Sequence, residues 1–199
     1  IVTDDGAPVE ADSSIFVLTV NAVNDPPVID DIAAQVMDED TILDITLSAS
    51  DVDDGDVLVY SATSDDVNIT AGVLGNVLTL TPALNFNGTA NISVTVSDNG
   101  DPVASDSETF ELTVSPVNDA PVLEPIGNQS TNEDIPLQLT LSTTDVENDS
   151  LTYTVSSDTT GVTVDLDGAV LTLTPAANWY GDAFITVTVS DNGDPVESD

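Results

Sequence analysis

The chain has 199 residues and a formal net charge of −37, because it carries 37 acidic side chains and no lysine, arginine or histidine; it also lacks cysteine. This composition excludes metal sites built on His or Cys, His-activated nucleophiles, lysine Schiff bases and arginine phosphate clamps. It also excludes electrostatic binding to nucleic acid or anionic lipid, which depends on Lys and Arg. We therefore expect no enzyme, no nucleic-acid partner and no insertion of this segment into a membrane.

The chain is nevertheless expected to fold, because 40% of its residues are apolar and can supply a core. Compaction at this charge density increases self-repulsion, which bound cations would relieve. The acids are biased towards aspartate, with 29 Asp against 8 Glu. Aspartate is the residue of turns and of oxygen-rich ion-binding loops, so the bias also favours a cation-binding protein.

One sequence unit repeats with an offset of 93 or 94 residues. Residues 3–28 match residues 97–122 at 15 of 26 positions, and residues 94–106 match residues 187–199 at 12 of 13. A fixed period of this kind is typical of tandem modules. It predicts the last strand and linker of a preceding module in residues 1–24 and a complete module in residues 25–118, the first repeat. Residues 119–199, the second repeat, are predicted to lack the last strand, as expected for an interior window of a longer chain.

Apolar residues alternate with polar ones along short segments separated by turn sequences such as "DNGDP" and "TPALNFNG". Alternation with period two predicts half-buried strands, and no window favours a helix. About seven such strands in each repeat is the count of an immunoglobulin-like Greek-key sandwich. We therefore predict an all-β chain of tandem sandwiches, with core strands that include Leu43–Leu47, Leu58–Ala62, Ile92–Val96, Phe110–Val114, Leu137–Leu141, Leu151–Val155 and Ile185–Val189.

Aromatic residues are few, and Phe86 and Trp179 hold the same repeat position. They could stack on a sugar or plug the core beneath a turn, and the plug is the expected role. Tyr60 and Tyr153, which also match, are expected in the core. An exposed aromatic pair confined to one repeat would indicate a binding module, and the sequence shows none.

Acidic motifs recur in a fixed order in both repeats. "VND" ends at Asp25 and Asp119, and an acidic doublet follows at Glu39 and Glu133. Next come "DVDDGD" from Asp51 and its counterpart "DVENDS", and later "SDNG" in both repeats. Such residues could simply be solvated turns and Asx caps, so the order of the motifs carries more weight than any one of them.

In this order the motifs resemble those of a cadherin-like module, specifically the cadherin-like tandem repeats of large bacterial surface adhesins. "PVNDAP" resembles the cadherin linker, "ASDVDDGD" and "TTDVENDS" its Asp-x-Asp loop, and "VTVSDNGD" its late aspartate. The resemblance covers the whole chain. It implies that each sandwich is cadherin-like and that Ca²⁺ lies between consecutive modules, bound by an acid of one module, the linker and two loops of the next.

The resemblance also implies the ligands. At the junction of the two repeats they would be Glu39, Asn118, Asp119, Asp145, Glu147 and Asp191. At the upstream junction they would be Asn24, Asp25, Asp51, Asp53 and Asp98. Carboxylate and amide oxygens suit Ca²⁺, which takes six to eight oxygen ligands. Two departures imply one or two ions per junction rather than three: Pro116 and Ala22 replace the linker's usual first aspartate, and "TPALNFNG" replaces the Asp-Arg-Glu segment.

The predicted function is a calcium-stiffened structural or adhesion segment of a repetitive extracellular or cell-surface adhesin or fibre. Its partners would be the neighbouring modules of the same chain, with homotypic assembly as a further expectation. One alternative is a carbohydrate- or surface-binding module. Another is a self-assembling filament subunit, in which residues 13–20 complete the open module of a neighbouring copy by strand addition.

Overall fold

The computed structural model describes residues 1–8, 11–53, 55–193 and 198–199. These residues form strands, turns and extended connections, with no helix among them and hence none that could cross a membrane. The strands are β1 (Val2–Thr3), β2 (Ala11–Asp12), β3 (Val28–Ile29), β4 (Gln35–Asp38), β5 (Leu43–Thr46), β6 (Ala49–Ser50), β7 (Val59–Ser64), β8 (Ile69–Leu74), β9 (Val77–Pro82), β10 (Gly88–Ser97), β11 (Ser105–Ser115), β12 (Val122–Leu123), β13 (Leu137–Thr140), β14 (Thr143–Thr144), β15 (Thr152–Ser157), β16 (Val162–Asp167), β17 (Val170–Pro175) and β18 (Ile185–Ser190).

The first repeat contains two main sheets, with strand orders β4-β11-β10-β7 and β5-β9-β8, and a short β3-β6 pair. β10 runs antiparallel to β7, with Ile92 opposite Ser64 and Ser97 opposite Val59. β4 joins the edge of the first sheet parallel to β11, with Leu112 opposite Gln35. The chain thus passes between the two sheets, from β4 to β5, from β7 to β8 and from β9 to β10, as in an immunoglobulin-like sandwich.

The core of the first repeat comes from the inward positions of these strands. Val94, Val96 and Leu112 are fully buried, as are Leu78 and Leu80 of the opposite sheet. Between them, threonines and serines face outward, as period-two patterning requires. The predicted all-β, immunoglobulin-like architecture is confirmed.

The second repeat has the same strand pairing over most of its length. Its sheets are β13-β17-β16 and β15-β18, with a short β12-β14 pair. β15 and β18 are antiparallel, with Tyr153 opposite Val189. Ser198 forms a single bridge with Ser190 beside β18. Residues 129–132, which match β4 in sequence, are exposed and form no strand.

By its contacts the chain divides into two compact units. The first comprises residues 1–34, 44–80 and 91–111, and the second comprises residues 35–43, 81–90 and 112–199. This grouping does not follow the sequence repeats, whose boundaries remain a prediction. The ligands predicted for the upstream junction all lie in the first unit, and those predicted for the junction of the two repeats all lie in the second.

Candidate metal centre

The predicted ligands form two groups. The upstream cluster, in the first compact unit, consists of Asn24, Asp25, Asp51, Asp53 and Asp98. The central cluster, in the second unit, consists of Glu39, Asn118, Asp119, Asp145, Glu147 and Asp191.

In the central cluster, the linker asparagine is tied to the "SDNG" turn that follows β18. Asn118 Nδ2 donates a hydrogen bond of 2.9 Å to Asp191 Oδ2. Asp191 is 4% exposed, and its Oδ1 accepts the Gly193 N–H at 3.1 Å. A Cβ atom at position 193 would collide with the Asn118 side chain, so the turn needs glycine there. The motif therefore brings the Asn118 amide and a buried carboxylate together.

The Asp-x-Glu loop also contacts the linker. Glu147 Oε2 accepts the Asp119 backbone N–H at 3.2 Å, and Asp145 Oδ1 accepts the Asp149 N–H at 2.8 Å. The second oxygens, Asp119 Oδ2 and Asp145 Oδ2, are buried and have no hydrogen-bond partner among the described residues. Buried polar atoms are normally satisfied, so these two oxygens are available to a further ligand.

Glu39 belongs to the first repeat by sequence but to the second compact unit by contacts. It follows β4, is 2% exposed, and its Oε1 accepts the Val117 N–H at 2.8 Å. Asn87 Nδ2 lies 3.5 Å from Glu39 Oε2. The next residue, Asp40, adopts a left-handed conformation with φ of 58° and accepts the Asn85 N–H through Oδ1 at 2.9 Å. This turn fixes the Glu39 carboxylate against the linker.

The electrostatics of the central cluster are unfavourable without a cation. Burial raises the pKa of the Asp119 carboxyl above its ordinary value, and the negative charges of Glu147, Asp40, Glu39 and Asp145 raise it further. A site that raises a carboxyl pKa through neighbouring negative charge gains from a bound metal ion, which reverses the sign of the local potential.

The upstream cluster repeats this geometry. Asn24 Nδ2 donates to Asp98 Oδ2 at 2.9 Å, as Asn118 does to Asp191. Asp53 Oδ2 accepts the Asp25 N–H at 2.8 Å, as Glu147 accepts that of Asp119. Asp51 Oδ2 is buried and unpartnered within the described part of the chain, like Asp145 Oδ2. The two clusters therefore share one local design.

One candidate ligand was missed by the sequence interpretation. Oxygens of Asp51, Asp56 and Asp98 lie within 4.8 Å of one another, and Asp56 Oδ2 is buried with no hydrogen-bond partner in the described ranges. Burial raises the pKa of Asp56, and the charges of Asp51, Asp98 and Asp53 add to the effect. Its recurrence as an acid at the matching position, Asp149, was the available signal.

Asp98 behaves differently from Asp56. The backbone N–H of Ala104, which Asp98 Oδ1 accepts at 2.9 Å, lowers the pKa of this carboxyl, and Asn24 and Gly100 lower it further against the opposing effect of burial. Asp98 is 5% exposed. It is thus held as a buried carboxylate anion that can bind a cation without first losing a proton.

The donor set fits calcium. Both clusters offer carboxylate and amide oxygens in loops and linkers, and the chain has no basic side chain to neutralise them. Hard oxygen donors on irregular backbone suit the flexible coordination of Ca²⁺ better than the strict octahedron of Mg²⁺. The buried, unpartnered oxygens of Asp51, Asp56, Asp119 and Asp145 are where a cation would complete the hydrogen-bonding and charge balance.

The aromatic residues do not extend these clusters. Trp179 is half-buried and packs so closely on Gly161 that a Cβ atom there would collide with the indole ring, which supports the plug interpretation. Tyr60 and Tyr153 are half-buried rather than fully in the core. Tyr180 and Phe184 are 87% and 76% exposed, whereas asparagine occupies both matching positions of the first repeat. The second repeat therefore does carry exposed aromatic residues that the first does not.

Comparison with known structures relates this architecture to cadherins. The chain is similar to Drosophila N-cadherin EC1-4, with 22% identity, a TM-score of 0.52, and coverage of 88% of this chain and 48% of that one. It is also similar to protocadherin gamma B2 domains 1–5 (18% identity, TM-score 0.51, 99% and 42% coverage). It is similar as well to human CDH23 EC21-23, with 17% identity, a TM-score of 0.50, and coverage of 89% of this chain and 63% of that one. The chain thus spans less than two thirds of each of these proteins.

At these identities the similarity establishes the fold, and the predicted resemblance to cadherin-like tandem modules is confirmed at that level. No curated protein matches the chain. The bacterial Ig domain family matches residues 24–114 and again residues 118–198. The chain therefore belongs to the bacterial Ig domain family, as a tandem array of Ig-like domains with a cadherin-like fold.

Proposed function

We propose that this chain is a non-catalytic, calcium-stiffened structural or adhesion segment of an extracellular or cell-surface protein, with neighbouring modules of the same chain as its partners. One observation carries the proposal: both clusters hold buried carboxylate oxygens without a partner among the described residues, in a chain that has no cationic side chain.

The chain's own residues explain how such a site would stiffen the linker. Glu39 holds the Val117 N–H, Asn118 holds Asp191, and Glu147 holds the Asp119 N–H, so three consecutive linker residues are each bonded to a different element. A bound Ca²⁺ supplies the positive charge that these converging carboxylates lack. Without it, repulsion between Asp119 and its neighbouring acids opposes this arrangement.

The composition suits an extracellular setting. Extracellular calcium modules work at about 10⁻⁴ to 10⁻³ M calcium, so moderate affinity from incomplete ligand sets is sufficient there. Lack of lysine and arginine also leaves no site for trypsin-like cleavage.

Thermal unfolding with calcium titrated into chelated protein, and magnesium as the ionic control, tests the proposal. We expect calcium to raise the melting temperature with saturation, because an ion that binds only the folded state stabilises it by mass action. Magnesium should have a much smaller effect.

Paired variants make the test specific. Asp145→Asn removes a charge from the central cluster and should reduce the calcium-dependent rise. Asp165→Asn removes the same charge from an exposed position on β16 and should leave the rise unchanged. Equal responses of both variants, or of calcium and magnesium, would show that the acids act only as diffuse charge.

A further inference from the structure

The loop between β17 and β18 concentrates aromatic residues. Trp179, Tyr180 and Phe184 are three of the eight aromatic residues of the chain, which has four Phe, three Tyr and one Trp. Tyr180 is 87% and Phe184 76% exposed. Large apolar side chains grouped on an exposed surface usually mark an interaction site.

Both exposed positions face outward in either repeat. Their counterparts in the first repeat are Asn87 and Asn91, which are also exposed although β11 lies beside β10 there. The next residue, Ile92, is fully buried, so the alternation of the strand places position 91 on the outer face. The exposure of Tyr180 and Phe184 therefore belongs to these positions and does not depend on the strand beside β18.

Packing and backbone hydrogen bonds hold this loop against the turn that follows β15. The Trp179 ring packs on Gly161, and the Ala176 N–H donates to Gly161 O at 2.9 Å. At the other end of the loop, the Asp158 N–H donates to Phe184 O at 3.1 Å, and the Phe184 N–H donates to Asp158 Oδ1 at 2.9 Å. The two exposed rings are thus carried by a loop fastened at both ends, which lowers the entropic cost of binding a ligand.

The phenylalanine also leaves a carboxylate oxygen free. In the first repeat Asn91 Nδ2 donates to Asp65 Oδ2 at 2.8 Å, in addition to the backbone bond from the Asn91 N–H to Asp65 Oδ1. Asp158 matches Asp65, and Phe184 matches Asn91 but has no side-chain donor. Asp158 is exposed, and its Oδ2 accepts no hydrogen bond from the described residues. An acceptor for an external donor therefore lies beside Phe184.

The polar groups near the two rings are mostly hydrogen-bond acceptors with negative charge. Asp182 lies between the rings in sequence and is exposed, as is Thr160 of the adjacent turn. The chain has no cationic side chain that could attract an anionic ligand. An occupant must therefore carry no negative charge, offer apolar faces to the rings and donate hydrogen bonds to carboxylates. A neutral carbohydrate meets all three requirements, because its C–H faces stack on aromatic rings and its hydroxyls donate to carboxylates.

We propose that Tyr180 and Phe184 form a stacking platform for a neutral glycan, with Asp158 and Asp182 accepting hydrogen bonds from its hydroxyls. The Cα atoms of the two aromatic residues lie no more than about 14 Å apart along the chain, so one short glycan segment can reach both rings. The matching positions of the first repeat carry asparagine, so that repeat should not bind. This function is additional to calcium-dependent stiffening and does not depend on it.

Affinity electrophoresis of the 199-residue protein tests the proposal, in native gels that each contain one polysaccharide, with chelator in all of them. Mixed-linkage β-glucan, glucomannan and galactomannan are the neutral probes, and hyaluronate is the anionic control. We expect at least one neutral polysaccharide to retard the wild type, and hyaluronate to leave its mobility unchanged. Because Trp179 is the only tryptophan, its fluorescence should also change on binding.

The first repeat supplies the informative variant. Tyr180→Asn combined with Phe184→Asn installs the residues that the first repeat carries at the same exposed positions. It should therefore leave folding intact and weaken glycan binding about tenfold or more, because both stacking rings are lost. Leu84→Asn is the control, since it removes an 83% exposed apolar side chain from the corresponding loop of the first repeat and should bind like the wild type.

Wild type that migrates alike with and without every neutral polysaccharide would overturn the proposal, as would equal retardation of the double variant and the control. Sedimentation of the wild type with phosphatidylcholine vesicles, without retention by any glycan, would also overturn it and assign the rings to a lipid surface. Failure of the calcium response in the stiffening experiments would leave the proposal intact, because every gel contains chelator.

Discussion

The two repeats have the same inward-facing residues but not the same core. Val94 is fully buried, whereas its counterpart Val187 is only half-buried, and Ile92 and Ile185 differ in the same way. The first repeat has β11 beside these residues, and β4 pairs with β11 in turn. In the second repeat residues 129–132 form no strand. The burial of matching inward-facing residues therefore follows the strands that lie beside them and not the local sequence alone.

The acidic doublets of the two repeats also differ in burial. Glu39 is 2% exposed and accepts the Val117 N–H, whereas the matching Glu133 is exposed. Their turns are alike, because Asp40 and Asp134 both adopt positive φ and each caps a backbone N–H through Oδ1. A linker contact, and not the turn itself, therefore makes a candidate ligand of Glu39.

The largest effect is expected in the core of the first repeat, at β11. Leu112→Ala should destabilise the protein by about 2–5 kcal/mol, because it leaves a cavity in a fully buried position. Leu18 holds the matching position in residues 13–20 but is 76% exposed. Leu18→Ala should therefore change the stability of the monomer very little. Denaturant unfolding of both variants at low concentration measures the contrast, and similar losses would contradict the assignment of β11 as the completing strand.

Packing around the tryptophan plug should give the next largest effect. Gly161→Ala places a Cβ atom against the Trp179 ring and should cost about 1–3 kcal/mol through overpacking. Gly72→Ala is the control, because its nearest heavy atom, Thr79 O, lies 4.0 Å from the added Cβ. If both substitutions are equally mild in denaturant unfolding, Trp179 does not plug the second repeat.

The doublets provide a matched test of the metal site. Glu39→Gln should weaken calcium binding about tenfold or more, equivalent to about 1.4 kcal/mol, because it removes a buried charged oxygen from the central cluster. Glu133→Gln should leave calcium binding unchanged in this chain. Isothermal titration calorimetry distinguishes them, and an equal loss in both would place the ion elsewhere.

The smallest effect is expected in the pH dependence of stability of the protein without calcium. Because the folded pKa of Asp119 is raised, its protonated form stabilises the fold below the unfolded pKa, and this contribution is lost as pH rises through the folded pKa. Asp119→Asn should therefore melt slightly higher than the wild type at neutral pH without calcium, with the advantage shrinking in acid. Asp98→Asn should instead melt lower than the wild type at neutral pH, since the pKa of Asp98 is lowered in the folded protein. Melting curves against pH would contradict this if the two variants shift together.

The strands and the main contacts of the two acidic clusters were predictable from the sequence. Period-two patterning gave the strands, and the repeated order of the acidic motifs located Asn24 with Asp98 and Asn118 with Asp191, because each pair lies where a linker meets a strand-end turn.

The features that the sequence did not predict depend on tertiary contacts. Oxygens of Asp56, Asp51 and Asp98 lie within 4.8 Å of one another, and the order of the acidic motifs does not predict that Asp56 joins the other two. The exposure of Glu133 and of residues 13–20 likewise depends on which strands are adjacent. Local patterning gives a strand its inward face but does not specify the neighbour that covers it.

Small-angle X-ray scattering across a calcium titration of chelated protein tests most directly whether ion binding stiffens the linker. We expect the maximum dimension to rise and its distribution to narrow with calcium but not with magnesium, and the Glu39→Gln, Asp145→Asn double variant to lose this response. Scattering that stays unchanged while calorimetry shows saturated calcium binding would contradict a stiffening role.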